Sequence, residues 1–349
     1  MENYNRHIAR VDTSVRQALI QLNDLAEDAI LFIVGSNNQL IGSLTDGDLR
    51  RGFIDGLNLE TSLEEFIQKK PKYIEQGNFN LGEIIALRKE FIVIFPVLNS
   101  RNKIINVVNF RHQKSYLPVD ALIMAGGRGE RLKPLTNDTP KPLLKVGDKP
   151  IIEHNIDRLN TYGIDDVWIS LRYLGEQIES HFGSGAQKSI RINYVNENEP
   201  LGTAGALGIV NNFVHDRILM MNSDVLTNID FEEFYLFFEK HEADLAVACI
   251  PYQVNVPYAV METENLVVTG FKEKPTYTHY SNAGIYIMKR EVAEMVPSNQ
   301  YFNATDLMEK LIKEGKKVIS YPFLGYWLDI GRHEDFLKAN KEINTINFD

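Results

Sequence analysis

A short apolar run, Val119-Asp120-Ala121-Leu122-Ile123, empties into the glycine-rich, cationic stretch Met124–Thr136, MAGGRGERLKPLT. The run reads as a buried strand. A strand that opens into such a loop brings backbone N–H groups close enough to hold a phosphate. Arg128, Arg131 and Lys133, with Lys141 soon after, add positive charge. The feature points to a phosphate-handling enzyme built on an α/β core. It sits in the middle of the chain, so about 120 residues in front of it need their own account.

At 349 residues the chain has room for two or three domains. A net charge of −10 argues against a general nucleic-acid binder, which carries a basic excess, but leaves room for a local basic pocket. The only cysteine, Cys249, excludes an internal disulfide framework and a cysteine zinc cluster. The polar Met1–Asp12 has no signal-peptide character, and no apolar run reaches the ~18 residues of a membrane span. The expectation is a cytoplasmic protein that binds neither nucleic acid nor membrane.

The first segment, 1–115, contains an internal repeat. Val15, Ala18, Leu19 and Leu22 recur at helical spacing behind a cap at Thr13 or Ser14. A strand over Ile30–Val34, a turn at Asn37-Asn38, a strand over Leu40–Leu44 and a helix from Asp46 to about Gly56 follow. The order returns about 65 residues later: a helix over Leu81–Leu87, a strand over Ile92–Leu98, a turn over Asn99–Asn102 and a strand over Ile104–Val108. Each unit leaves one apolar face uncovered, so the two should pack together. The pattern Ser14-Val15-x-x-Ala18-Leu19 with Gly42-Ser43-Leu44-Thr45-Asp46-Gly47-Asp48 resembles a pair of CBS modules, an α+β regulatory domain. That resemblance implies an adenine nucleotide whose ribose meets Thr45 and Asp48. The same two residues also suit simple helix capping. The second copy, Ile104–His112, lacks the Thr/Asp pair, so one such site is expected rather than two.

The second segment, 118–349, alternates strand and helix. Ile151, Ile152, Asn155, Ile156 and Leu159 predict a helix that Gly163 ends. Strands are expected over Val167–Leu171, Ile190–Val195, Ile218–Met221 and Leu245–Ile250, with helices over Phe231–His241 and Glu334–Ile343. This is the grammar of a Rossmann-like, mostly parallel sheet covered on both faces. Such sheets bind ligands beyond the carboxyl ends of their strands, where Gly126 lies. A dinucleotide fingerprint fails because Leu132 stands where its third glycine belongs, and Gly-Lys-Ser/Thr of a P-loop is missing.

From Ala125 through Leu143 the chain resembles the signature of sugar-1-phosphate nucleotidyltransferases, whose fold is GT-A-like. Glu130 stands where the family often has Thr. Further matches keep the family's order: Pro200-Leu201-Gly202-Thr203-Ala204-Gly205, Asn222-Ser223-Asp224, Glu273-Lys274-Pro275, Asn282-Ala283-Gly284 and Trp327-Leu328-Asp329-Ile330-Gly331. The resemblance implies transfer of a nucleotidyl group from a nucleoside triphosphate to a sugar 1-phosphate. Ala125, Gly126, Gly127, Arg128 and Gly129 then hold the nucleotide, with Glu197, Gly202, Thr203 and Ala204 at the base. Arg131 and Lys141 serve the phosphates as catalytic cations. Asp224 and Asp329 hold Mg²⁺. Glu273, Lys274 and Asn282 take the sugar phosphate. Ala259 stands where many relatives have a sugar-contacting Gly.

At position 197 a carboxylate only accepts, which suits the adjacent N1–H and N2–H₂ of guanine; a Gln would match uracil or thymine. Some uridylyltransferases carry a Glu nearby, so UTP and dTTP stay open. A CBS pair ahead of this catalytic domain is similar to a small bacterial group that makes GDP-glucosamine for legionaminic-type acids. The bacterial guanylyltransferases of the mannose type carry a C-terminal β-helix, and no hexapeptide repeats follow the last predicted helix here. That resemblance implies GTP and glucosamine 1-phosphate, and the CBS pair implies a homo-oligomer. A non-catalytic adenine-nucleotide sensor is the rival from another class. The scattered histidines suggest no ligand set.

Overall fold

The computed structural model, which describes residues 4–77, 79–346 and 348, divides into two units, Met1–Tyr116 and Leu117–Asp349.

In the first unit β1 (Ile8–Arg10) lies parallel to β2 (Ile30–Val34), joined by α1 (Val15–Asp24), and β2 turns back into β3 (Leu40–Thr45). Ser14 Oγ accepts the Gln17 N–H at 3.2 Å and starts α1. After α2 (Asp46–Ile54) the arrangement recurs with β4 (Ile74–Glu75), α3 (Leu81–Lys89), β5 (Ile94–Leu98) and β6 (Ile104–Asn109). The repetition extends to irregularities. The register slips at Ile33/Val34 in one hairpin and at Val97/Leu98 in the other. Asn38 and Asn102 both adopt left-handed backbone, φ 58° and 59°, which asparagine tolerates better than most residues. The hairpins meet where the Leu40 N–H donates to Asn102 O at 3.0 Å. Phe32, Leu40, Ile94 and Leu98 bury one cluster between the copies, covering the apolar faces that neither could cover alone.

The second unit starts with β7 (Asp120–Met124) and the small hairpin of β8 (Lys145–Val146) and β9 (Lys149–Pro150). Then come α4 (Ile151–Thr161), β10 (Asp166–Leu171), α5 (Gly175–Phe182), β11 (Arg191–Asn196), β12 (Arg217–Asn222), β13 (Val225–Thr227) and α6 (Phe231–Lys240). The chain continues through β14 (Leu245–Asn255), β15 (Val260–Glu264), β16 (Val267–Lys272), β17 (Thr276–Lys289) and α7 (Arg290–Ala293). It closes with α8 (Ala304–Lys313), β18 (Val318–Pro322), β19 (Trp327–Asp329) and α9 (His333–Glu342). The main sheet runs β11-β10-β7-β12-β17-β14-β18, and only β17 opposes its neighbours. Leu122, Ile218 and Met220 pack with Leu307 and Leu311 of α8 on one face. The alternate residues Leu219 and Met221 are equally buried, so the sheet is covered on both sides. Among the described residues, no helix is long and apolar enough to cross a membrane.

The strand expected over Leu245–Ile250 instead runs on to Asn255. Pro251 reads locally as a strand stop, but β17 supplies hydrogen-bond partners from outside the segment, out to Asn255↔Thr276. The resulting β14–β17 ribbon leaves the sheet and carries the β15–β16 hairpin at its tip. No residue from 251 to 282 is buried.

Candidate active site

The site forms at the carboxyl ends of β7, β10 and β12. Strand β7 delivers Ala125, whose N–H donates to Ser170 O at 3.1 Å and so ties the start of the loop to β10. Gly129 has φ 60°, and a Cβ there would lie 3.0 Å from both Lys141 Cβ and Thr136 Cγ2. Glycine is therefore what lets the loop close over Lys141. The loop passes through two short 3-10 turns, Glu130–Leu132 and Lys141–Leu143, rather than into a regular helix.

One cavity, of about 300 Å³, is lined by Ala125, Gly126, Gly127, Lys141, Glu197, Gly202, Thr203 and Asp224. A second cavity shares Gly127, Lys141 and Asp224 and adds Arg128, Gly129, Arg131 and Gly331. Lys141 is only 8% exposed, and its Nζ donates to Asp224. Arg128 lies 5.9 Å from the centre of the Tyr173 ring, a loose cation–π contact.

Asp224 reaches Asp329 through the pairing of β13 with β19. Val225 lies opposite Asp329, and the Ile330 N–H donates to Asp224 O at 3.0 Å. Burial raises the Asp329 carboxyl above the usual range, and the nearby Asp224 charge raises it further; Lys141 and Arg131 offset part of this. Asp329 Oδ1 is buried with no hydrogen-bond partner. A Cβ on Gly331 would sit 3.5 Å from Arg131 Nη2 and 3.6 Å from Asp329 Oδ2, so guanidinium and carboxylate flank the same glycine. An orphaned carboxylate oxygen beside a second carboxylate is a set of hard oxygen donors that fits Mg²⁺.

At the other end of the first cavity Glu197 is 9% exposed. Its Oε1 accepts from the Ser170 hydroxyl and its Oε2 from the Leu201 N–H at 3.2 Å. Gly202, with φ 77°, lies so close to the chain that a Cβ would be 2.7 Å from Phe302 O. The turn is pinned from both sides: the Ala204 N–H donates to Phe302 O at 3.0 Å, and Thr203 Oγ1 accepts the Ala304 N–H at 2.9 Å. Ala204 itself is fully buried.

Glu273, Lys274 and Asn282 line neither cavity. Glu273 and Lys274 are exposed at the turn between β16 and β17, and Lys274 is held at φ 42°. Asn282 Nδ2 donates to the Tyr286 hydroxyl at 2.8 Å. In the first unit Thr45 and Asp48 satisfy each other. The Thr45 hydroxyl donates to Asp48 Oδ2 at 2.7 Å, the Asp48 N–H returns to Thr45 Oγ1 at 3.3 Å, and Arg51 reaches Asp48 Oδ1 at 2.6 Å. The sequence did not single out Arg172 or Tyr301, which line the first cavity, or Ser170, which holds Glu197. Arg172 directly follows β10, so the rule that ligands bind beyond strand ends could have found it. Tyr301 lies in a loop before α8 and carries no local signal.

A second group of ionisable residues collects at the opposite ends of the strands. Asp165, Asp166 and His215 bring their ligand-type atoms within 4.8 Å of one another. Asp166 pairs with Arg191 at 2.5 Å, and Asp120 accepts the His215 N–H at 2.7 Å. Burial pushes Asp120 up to about 7 and Asp165 up to about 6, and it lowers His215. The histidine spacing gave no hint of this group because His215, in the bend before β12, meets Asp165 and Asp166 at the start of β10 only through the fold.

The sequence profile of the nucleotidyl transferase family matches residues 120–346. The chain is 32% identical over 238 residues to the bifunctional protein GlmU of Methanocaldococcus jannaschii, across 65% of this chain and 56% of that protein. It is 33% identical over 231 residues to the D-glycero-alpha-D-manno-heptose 1-phosphate guanylyltransferase of Aneurinibacillus thermoaerophilus, across 64% of this chain and 98% of that protein. The match thus spans little over half of the first relative and nearly all of the second. Among solved structures, a Bacillus anthracis protein described as a candidate glucose-1-phosphate thymidylyltransferase superposes with a TM-score of 0.53 at 28% identity, covering 66% of this chain and 97% of that one.

Proposed function

The chain belongs to the nucleotidyl transferase family, and from that premise we propose that it transfers a guanylyl group from GTP to a sugar 1-phosphate, with glucosamine 1-phosphate as the favoured acceptor. A phosphate oxygen of the sugar 1-phosphate attacks the α-phosphorus, a new P–O bond forms, and the α–β bond breaks to release pyrophosphate. The reaction needs no nucleophile from the protein. The work left to the chain is to gather two polyanions and to spread the charge that grows on the α-phosphoryl and leaving groups. Lys141, Arg131 and the N–H groups of Gly126–Gly129 have the charge and position for that work. Asp224 and Asp329 would hold Mg²⁺, which supplies further charge neutralisation when bound. The observation that carries the reading is that Asp224, Lys141 and the glycine loop line one strand-end cavity, with Asp329 held beside Asp224 by the pairing of β13 with β19.

Guanine is favoured because the buried Glu197 lines the cavity beside the pinned 200–204 turn, where a carboxylate suits two adjacent donors. The first unit reads as a CBS pair, on the strength of a repeat that extends to its bulges and turn asparagines. An adenine nucleotide there would replace the mutual bonds of Thr45 and Asp48 with its ribose hydroxyls. The direct test incubates the full chain and Mg²⁺ with each triphosphate against a panel of sugar 1-phosphates and follows pyrophosphate. Turnover with GTP and glucosamine 1-phosphate is expected. Turnover with UTP alone overturns the base, and none with any pair revives the sensor. Calorimetry with AMP, which lacks a transferable pyrophosphate, tests the first unit: heat that disappears in Thr45→Val supports the nucleotide site.

A further inference from the structure

Arg172 directly follows β10 and stands half-buried on the wall of the cavity that Glu197 and the 200–204 turn also line. Among the described residues its guanidinium makes no hydrogen bond and no ion pair. An arginine stays charged and carries five N–H donors in a planar fork. Such a fork, unpaired against a cavity, calls for an acceptor that the cavity receives.

The strand registers set its surroundings. Ser170 lies opposite Met124 of β7 and Val195 of β11. Two residues on, side chains return to the same face, so Gly126, Arg172 and Glu197 form the next row on that face, just past the strand ends. The distances agree: a Cβ on Gly126 would lie 3.1 Å from Glu197 Oε1 and 3.3 Å from Arg172 Cβ. Glycine at 126 thus leaves open the space that both side chains flank. An arginine and a glutamate so close ordinarily form an ion pair, yet among the described residues none joins these two. Glu197 is fixed instead by the Ser170 hydroxyl and by the Leu201 N–H at 3.2 Å. A carboxylate offers about four acceptor positions, so it keeps capacity for a ligand. The row therefore presents one cavity with a fixed acceptor and, beside it, an open donor fork.

Guanine carries both complements on adjoining edges. N1–H and N2–H₂ are neighbouring donors, and O6 and N7 are neighbouring acceptors that a guanidinium fork meets in a bidentate contact. Adenine sets an N6–H₂ donor where O6 would be, and uracil has no counterpart of N7. We propose that Arg172 reads O6 and N7 of the guanine of GTP while Glu197 takes N1–H and N2–H₂, so that the two side chains select the base jointly. This deepens the guanylyl-transfer reading and rests on it. It also gives the unpaired guanidinium its partner: the base completes what Glu197, already held by Ser170 and Leu201, leaves undone.

Triphosphates altered at a single atom test it, by calorimetry on the full chain with Mg²⁺ and no sugar phosphate. 7-Deaza-GTP replaces N7 with a C–H group. The wild-type chain is expected to bind it about tenfold or more weakly than GTP, because a hydrogen bond to a charged group is lost. That arm needs no variant. In Arg172→Ala the two ligands should bind alike, with GTP weakened by about tenfold or more and UTP little changed. Arg172→Lys keeps the charge without the fork and should behave as Arg172→Ala does. Equal binding of GTP and 7-deaza-GTP by the wild-type chain overturns the proposal. Equal losses of GTP and UTP in Arg172→Ala, both rescued by Arg172→Lys, overturn it as well, since the cation then serves phosphate. Either result leaves the guanylyl reading standing as long as the wild-type chain prefers GTP to UTP. Absence of that preference overturns the reading, and the proposal with it.

Discussion

Lys141 donates a hydrogen bond to Asp224, so a cation carried by the glycine-rich segment and a carboxylate at the end of β12 hold each other at the wall of the strand-end cavity. Both side chains are mostly buried, and the couple is arranged before any substrate arrives. Lys141→Ala is expected to lower kcat by about 10²-fold or more, the usual cost of losing one preorganised donor to developing charge. Asp224→Asn should lose activity to a similar degree, together with saturation by Mg²⁺. Steady-state pyrophosphate release across a Mg²⁺ series measures both.

Asp329 gives the activity a pH signature. Burial and the neighbouring Asp224 raise its carboxyl above the ordinary range, so it takes up a proton at a higher pH than a free aspartate does. A protonated Asp329 cannot serve as a full metal ligand. As pH falls, kcat/KM should therefore decline at a pH above the ~4 of an ordinary aspartate. Raising Mg²⁺ should move that limb to lower pH, because metal and proton compete for one carboxylate. A limb that ignores Mg²⁺ would remove Asp329 from the metal site.

On the proposed reading, Glu197 selects the base. Glu197→Gln keeps an oxygen for the Ser170 hydroxyl but sets an NH₂ donor where Oε2 accepts the Leu201 N–H at the edge of the base turn. The ratio of kcat/KM for GTP to that for UTP should fall by about tenfold or more, since a site built for hydrogen bonds penalises a mismatched edge heavily. An unchanged ratio would show that another group reads the base.

Asp120 sets a pH-dependent stability. Burial pushes it up, the His215 and Val214 backbone N–H groups pull it down, Asp166 and Arg290 add smaller opposing effects, and it settles at about 7. An acid whose folded value lies above its unfolded one stabilises the fold when protonated and loses that contribution as pH rises through the folded value. Wild-type stability should therefore fall between about pH 4 and pH 7 on account of this group. Asp120→Asn retains an acceptor for His215 without the charge. It should melt higher than wild type at pH 8, by a few kcal/mol in stability, with the advantage shrinking as pH falls and gone only by about pH 4. Thermal melts at four pH values check this, and a difference independent of pH would assign the effect to packing instead.

Much was legible in the chain itself. The glycine loop, the apolar runs that became β7, β10 and β12, and the repeat in the first unit are local patterns, and local sterics and burial fix them wherever the chain goes. Gly129 and Gly202 stood out as glycines of a loop and a turn, but what leaves no room for a Cβ at Gly202 is Phe302, a hundred residues on, which only the fold supplies. The tertiary structure alone decided what depends on partners distant in sequence. It brought Asp329 to Asp224 through a pairing of two short strands, and gathered Asp120 of β7, Asp166 of β10 and His215 from the bend before β12. It also carried Glu273 out along a ribbon whose length is set by β17 rather than by its own residues. A sequence records which groups a chain owns; the pairing of its strands determines which of them share a low-dielectric space, and there their charges acquire chemical meaning.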